Sequence, residues 1–116
     1  MKDAMQQFTA LLQYLPPPER ERIAATLFHA EKWHHGQLRE SGEPYIHHPL
    51  AVAGYLARLE ADEDTLIAAL LHDVVEDGHT SMETLEQKFG KTIATLVDGV
   101  TKLSRLRYEG RRSEWQ

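Results

Sequence analysis

The amino-acid sequence predicts an all-α fold, and two observations support that prediction. Apolar residues recur along most of the 116-residue chain at spacings of three and four, as on one side of a helix, and no segment shows the strict alternation of a half-buried strand. Proline and glycine divide the chain into helix-length pieces. The length corresponds to one domain or part of one.

The first half of the chain is predicted to form three helices. The first covers Asp3–Leu15 and ends at Pro16–Pro18, because three consecutive prolines cannot continue a helix. The second starts at Glu19 and ends around Gly36, after which a polar loop follows. The third helix starts near Pro49, since proline is well suited to the first turn of a helix.

Two further helices are predicted in the middle of the second half. The fourth covers Thr65 to about Glu76, and either Asp62 or Asp64 can cap its first turn. The fifth begins at Thr80–Glu83, which has the spacing of a capping box, and it stops at Gly90. Both helices therefore have a start signal in the sequence.

The chain ends in a sixth predicted helix and a polar tail. The helix covers Thr92 to about Leu106. Residues 107–116 are polar and rich in arginine and lack an apolar stripe, so we expect a loop or a frayed end there.

Composition and charge exclude several classes of protein. The net charge of −5 argues against a protein that coats nucleic acid. The chain has no cysteine, which rules out disulfides and thiolate metal sites and fits a cytoplasmic location. No apolar run approaches the roughly 20 residues of a membrane span. We therefore expect a cytoplasmic domain whose partners are neither nucleic acid nor a membrane.

The dipeptide His72-Asp73 is the strongest indication of function. It lies inside Leu66–Asp77, where every residue from Leu66 to Leu71 is apolar. An imidazole and a carboxylate in such an apolar segment are costly unless something compensates them. A divalent metal does so, because it accepts both nitrogen and oxygen ligands. A core polar pair without a metal is the alternative, and the apolar setting favours the metal.

Further ligands and carboxylates are placed to complete such a site. His48, just before Pro49, adds a second imidazole at a helix start, and the resulting N, N, O set suits Mn²⁺, Fe²⁺ or Zn²⁺ better than Ca²⁺. Glu76 and Asp77 follow His72 and Asp73 by one helical turn. Carboxylates in those positions can orient water or transfer protons.

The loop before His48 is a candidate for substrate binding. Arg39 can stack on a base or pair with a phosphate, and Tyr45 can stack on a base. Ser41 lies between them. An ordinary solvated loop explains these residues equally well. The other histidines, among them His34 and His79, are interpreted as surface or structural residues rather than ligands.

Five ordered segments carry a family resemblance: Gly36-Gln37, Arg39–Pro49, Ala69–Asp77, Phe89-Gly90 and Leu96–Leu103. They resemble the hydrolase domain of the RelA/SpoT homologues, the alarmone enzymes of the bacterial stringent response, within the HD-domain phosphohydrolase superfamily. The resemblance implies an HD-domain helical bundle that holds one Mn²⁺.

The resemblance also assigns roles to individual residues. The implied metal ligands are His48, His72 and Asp73, together with a further aspartate. Glu76 and Asp77 match the family's catalytic carboxylates. The implied reaction is hydrolysis of the 3′-pyrophosphate of (p)ppGpp to GDP or GTP and pyrophosphate.

In the substrate loop, Arg39 matches the arginine that packs on the guanine base, and Ser41 lies in the same loop as Arg39 and Tyr45. The family's fourth ligand belongs to a later motif that these 116 residues do not contain. We therefore expect an N-terminal portion of the domain, truncated before its last helices. Its expected parts are a leading helix and proline turn (1–18), metal-site helices (19–106) and a polar tail (107–116).

One further departure from the family concerns Gly78, which stands where the family usually has threonine; we expect a modest effect on that turn.

Two alternatives to an alarmone hydrolase stay open. The chain can be a non-catalytic helical module that binds a nucleotide or a partner, or an HD phosphohydrolase of another nucleotide.

Overall fold

The computed structural model describes residues 2–102, which form six α-helices, as the all-α prediction requires. Five have the bounds α1 Lys2–Ala10, α2 Pro17–Trp33, α3 His47–Arg58, α4 Glu63–Glu76 and α5 Met82–Phe89. The helix α6 begins at residue 91 and continues to 102. Extended pairing within the described part is limited to one bridge between Leu38 and Pro44, which closes the loop between α2 and α3.

The first two helices differ from the predicted bounds. α1 ends at Ala10, before Leu15, because the chain passes into turns in which the amide of Leu11 donates to the carbonyl of Phe8 at 3.0 Å. α2 starts two residues before Glu19, since Pro17 and Pro18 occupy the first turn, where a helix needs no amide donors. The prolines therefore start α2, whereas α1 has already ended six residues before Pro16.

α4 is the central helix of the fold. The side chains of Leu66–Leu71 are all buried, since α2 and α3 pack against α4 and α1 packs against α3. Full burial of a leucine side chain contributes roughly 1.5–3 kcal/mol of hydrophobic stabilisation. This packing explains the apolar run and fixes the position of His72 and Asp73 at its end.

The starts of α3, α4 and α5 have different local causes. α3 begins at His47, two residues before Pro49, which occupies its first turn. Of the two predicted caps for α4, Asp62 is the one used: its side chain accepts a hydrogen bond from the amide of Thr65 at 2.9 Å. The predicted capping box at Thr80 is wrong by one residue.

Ser81 is the residue that caps α5, and its hydroxyl oxygen accepts a hydrogen bond from the amide of Thr84 at 3.1 Å. The predicted stop is confirmed: Gly90, with a φ of 96°, ends α5. Thr80 lies one residue too early for the cap because the turn after α4 continues through it.

α6 buries Ile93 and Val97 and leaves Leu96 and Val100 39% and 40% exposed. It starts one residue before the predicted Thr92. The predicted helix end at Leu106 and the predicted tail lie outside the described residues. Among residues 2–102, no helix has the length and apolarity that a bilayer crossing requires.

Candidate metal centre

Three side chains from two helices meet where the start of α3 faces the last turns of α4. His48 lies in the first turn of α3, and His72 and Asp73 lie near the end of α4. One ligand atom from each lies within 4.8 Å of the other two. Oδ2 of Asp73 is 3.0 Å from Nε2 of His72 and 3.6 Å from Nε2 of His48. The structure thus brings together the three residues that the sequence suggested as ligands.

The orientation of His72 suits a metal ligand. Its Nδ1 lies 2.6 Å from the carbonyl oxygen of Ala69. Because a carbonyl can only accept, Nδ1 carries the proton, and Nε2 is the nitrogen directed at Asp73. Metal-binding histidines are commonly held through their second nitrogen in this way. The donor set of two imidazole nitrogens and one carboxylate oxygen fits Mn²⁺, Fe²⁺ or Zn²⁺.

The electrostatics of the cluster favour a cation. Burial acts to lower the pKa of His72, but the hydrogen bonds to Asp73 and to the Ala69 carbonyl, together with the nearby negative charges, raise that pKa above its ordinary value. Burial acts to raise the pKa of Asp73, but the hydrogen bond and charge of His72 lower it overall. Burial lowers the pKa of His48. The carboxylate is therefore ionised and partly buried, and either a proton or a metal ion can neutralise it.

Tyr45 contacts the cluster directly. Its hydroxyl donates a hydrogen bond to Oδ2 of Asp73 at 2.8 Å, and burial raises the pKa of Tyr45, which keeps that hydroxyl protonated. Its ring packs against the ring of His34, with centroids 4.8 Å apart. The sequence suggested Tyr45 only as a residue for base stacking, so its contact with a candidate ligand was missed.

The predicted substrate loop forms one wall of an open groove of about 690 Å³. Arg39, Ser41, Tyr45 and His48 all line this groove, so the groove and the cluster share His48, while His72 and Asp73 do not line it. The loop is held in shape by its own backbone, because the amide of Arg39 donates to the carbonyl of Glu43 at 2.8 Å. The volume lies within the range typical of small-molecule sites.

The two predicted catalytic carboxylates end α4. Glu76 is its last residue, and Asp77 is the residue that follows; both are exposed. Oδ2 of Asp77 accepts a hydrogen bond from Nε2 of Gln37 at 3.1 Å. Asp77 thus joins the end of α4 to the loop after α2.

A second group of potential ligands consists of His34, Asp77 and His79, whose ligand atoms also lie within 4.8 Å of one another. Both histidines form hydrogen bonds with Oε1 of Gln37, which agrees with their interpretation as structural residues. No sequence signal shows this contact, since Gln37 and His79 are 42 positions apart.

Comparisons with known proteins identify the family and the relatives of this chain. A family model described as HD domain matches residues 24–116. The bifunctional (p)ppGpp synthase/hydrolase SpoT of Escherichia coli (strain K12) is 48% identical over 99 residues, which cover 85% of this chain and 14% of that protein.

Two further relatives come from other bacteria. The guanosine-3′,5′-bis(diphosphate) 3′-pyrophosphohydrolase of Aquifex aeolicus (strain VF5) is 46% identical over 90% of this chain and 15% of its own length. The GTP pyrophosphokinase of Myxococcus xanthus is 50% identical over 80% of this chain and 12% of its own length.

The chain thus spans about one seventh of the curated relatives that it matches, 14% in the case of the Escherichia coli protein. The relatives confirm the resemblance to the RelA/SpoT homologues that the motifs indicated. Since the family model matches most of the sequence, this chain belongs to the HD domain family.

Proposed function

We propose that this chain carries the site of an Mn²⁺-dependent hydrolase that removes the 3′-pyrophosphate of (p)ppGpp and yields GDP or GTP and pyrophosphate. The observation that supports it most directly is the cluster of His48, His72 and Asp73, whose His48 also lines the groove that contains Arg39. The name of the similar Escherichia coli protein includes (p)ppGpp hydrolase, and that of the Aquifex aeolicus protein is a 3′-pyrophosphohydrolase.

His48, His72 and Asp73 would hold the Mn²⁺ ion. When bound, the ion supplies Lewis acidity toward the phosphoryl group and activates water. Asp73 contributes the negative charge, and the two imidazoles hold their nitrogens close to it. A cytoplasmic location belongs to the same proposal.

Glu76 and Asp77 would transfer the protons of the reaction. Water forms a new bond to phosphorus, and the bond between phosphorus and the ribose 3′-oxygen breaks. One carboxylate takes a proton from the attacking water, and the other, when protonated, gives a proton to the departing 3′-oxygen. Glu76 follows His72, and Asp77 follows Asp73, by one helical turn, which supports a role for both carboxylates beside the candidate ligands.

Arg39 and Ser41 would bind the nucleotide. The planar guanidinium of Arg39 can stack on a guanine base and also carries a charge that attracts phosphates. Its exposed position on the wall of the groove leaves that plane accessible to a ligand. Tyr45 offers an aromatic ring on the same wall, while its hydroxyl holds Asp73.

The proposal is tested by measuring pyrophosphate release from ppGpp with Mn²⁺ and after chelation. The chain is assayed alone and in a chimera, in which its residues replace the aligned segment of the Escherichia coli relative. We expect release that requires Mn²⁺ and that His72→Ala reduces at least about 100-fold. His35→Ala, at an exposed histidine outside both clusters, is the matched control and should leave the rate unchanged.

Two outcomes would replace the proposal. If the chimera binds Mn²⁺ and hydrolyses a different nucleotide but not ppGpp, the chain is an HD phosphohydrolase of another substrate. If it binds nucleotide without any turnover, the chain is a non-catalytic module. Loss of release in the His35→Ala control would show that the assay reports folding rather than the site.

A further inference from the structure

The side chain of Gln37 is held by three residues at once. Its Oε1 forms hydrogen bonds with Nδ1 of His34, at 2.9 Å, and with Nε2 of His79. Its Nε2 lies 3.1 Å from Oδ2 of Asp77. The backbone of Gln37 is fixed as well, since its amide donates to the carbonyl of His34 and its carbonyl accepts from the amide of Tyr45, both at 2.9 Å.

The chemistry of these partners sets the orientation of the amide. A carboxylate only accepts hydrogen bonds, so the NH₂ group of Gln37 must face Asp77. Its carbonyl oxygen then faces both rings, and each ring must donate to it. His34 therefore carries its proton on Nδ1, and the Nε2 of His79 is protonated.

His34 is the buried histidine of this network. His34 is 2% exposed, and its Nε2 has no hydrogen-bond partner among the described residues. Burial lowers the pKa of His34, which keeps the ring neutral. The ring packs between those of Tyr45 and His79, with centroid distances of 4.8 and 4.9 Å. The contacts that hold His34 are therefore the hydrogen bond of its Nδ1 and the packing of its ring.

A second metal site explains this cluster less well. The ring nitrogens of His34 and His79 that face Gln37 both donate their protons to its amide oxygen. A metal ion bound to these two nitrogens would have to displace both protons and break their hydrogen bonds with Gln37. The hydrogen bonds account for the cluster without either change.

We propose that Gln37 is a positioning residue that orients the carboxylate of Asp77, and that His34 and His79 hold the Gln37 amide in place. This inference rests on the proposed function, in which Asp77 transfers a proton. The contact engages Oδ2 of Asp77 and leaves Oδ1 for proton transfer. A freely rotating carboxylate at the exposed end of α4 would spend little time in one orientation.

Two substitutions separate the parts of the network. Gln37→Glu keeps an oxygen for both rings but removes the N–H that faces Asp77 and places a like charge beside it. Gln37→Ala removes every contact of the side chain. Gln87→Glu makes the same chemical change at an exposed position on α5 and is the matched control.

Kinetics form the first measurement, in the chimera described above. We expect both Gln37 variants to lower kcat about 10- to 100-fold, while KM and the Mn²⁺ affinity change less than about threefold. Gln87→Glu should match the parent. A kcat within about twofold of the parent in both Gln37 variants, or a loss of Mn²⁺ affinity that accounts for the lower rate, overturns the proposal.

Histidine ¹⁵N NMR of the 116-residue chain is the second measurement and needs no turnover. We expect His34 as the Nδ1–H tautomer and a protonated Nε2 at His79, with both signatures lost in Gln37→Ala. The opposite tautomer at His34, or a second bound Mn²⁺ that broadens both rings, overturns the network. If the parent chimera binds Mn²⁺ but releases no pyrophosphate, both the proposed function and the catalytic purpose of Gln37 are overturned. The tautomers of His34 and His79 report separately on whether the hydrogen bonds with Gln37 exist.

Discussion

The phenolic hydroxyl of Tyr45 donates a hydrogen bond to Oδ2 of Asp73, 28 positions further along the chain, at 2.8 Å. The same oxygen lies 3.0 Å from the ring of His72 and 3.6 Å from that of His48. The loop before α3, α3 itself and α4 therefore converge on one carboxylate oxygen. Tyr45 limits the rotation of that carboxylate and leaves it facing both imidazoles.

Removing the Tyr45 hydroxyl should weaken metal binding. In Tyr45→Phe the ring keeps its packing, but Asp73 loses a hydrogen bond that fixes its orientation. Loss of such a supporting contact typically lowers metal affinity about 10- to 100-fold, and we expect the lower end because His72 still contacts Asp73. Electron paramagnetic resonance of free Mn²⁺ measures the affinity. Tyr55→Phe, at an exposed tyrosine of α3, is the control; equal affinities for all three proteins would contradict the prediction.

Arg39 should act on substrate binding rather than on chemistry. It lines the groove and is exposed, and it is not among the cluster residues. We expect Arg39→Ala to raise the KM for ppGpp about tenfold, a loss of roughly 1.4 kcal/mol, with kcat within about twofold. Arg39→Lys should recover only part, since lysine keeps the charge and loses the plane. Arg58→Ala, at the other end of α3, serves as the control. A fall in kcat at unchanged KM would place Arg39 in the chemical step instead.

The fold and the candidate ligands could be predicted from local patterns. The apolar run of Leu66–Leu71 requires a buried helix, and that helix fixes where His72 and Asp73 lie. Proline after His48 marks the start of another helix. These features depend on neighbouring residues, which a single sequence displays directly.

The contacts that connect separate elements could not be predicted in this way. Tyr45 reaches Asp73 and Gln37 reaches His79 only because α2, α3 and α4 pack together. The second contact also depends on the turn after α4, where Gly78 has a φ of 80° and the amide of His79 donates to the carbonyl of Val74 at 3.0 Å. A positive φ is rare for threonine, so Gly78 suits this turn better than the family's usual residue does.

The stability of the site should depend on the core of α4. Leu70 is fully buried in α4, one turn before the buried Val74. The turns of α4 that directly follow Leu70 carry His72 and Asp73. We expect Leu70→Ala to lower the free energy of unfolding by about 2–5 kcal/mol, because it removes buried apolar atoms and leaves a cavity. Urea denaturation followed by circular dichroism measures the change. Leu59→Ala, at a leucine that is 64% exposed, should cost less than about 1 kcal/mol, and equal losses at both positions would contradict the assigned packing.

The cap of α4 gives a prediction with a defined pH dependence. Hydrogen bonds from the side chain and the backbone amide of Thr65 lower the pKa of Asp62 below its ordinary value of 3.8. Asp62→Ala should lower the free energy of unfolding by about 0.5–2 kcal/mol at neutral pH. Because the folded chain binds this proton more weakly than the unfolded chain does, the ionised cap stabilises fully above about pH 4 and loses its effect as the pH falls through the lower folded pKa.

Asp62→Asn separates the charge from the hydrogen bond in that experiment. Asparagine caps helices about as well as aspartate but does not ionise in this range. The advantage of the parent over Asp62→Ala should therefore shrink between neutral pH and about pH 3, while the advantage of Asp62→Asn over Asp62→Ala stays constant. Urea denaturation of the three proteins across that range gives both differences. If the parent kept its full advantage at the acidic end, ionisation of Asp62 would play no part in holding the start of α4.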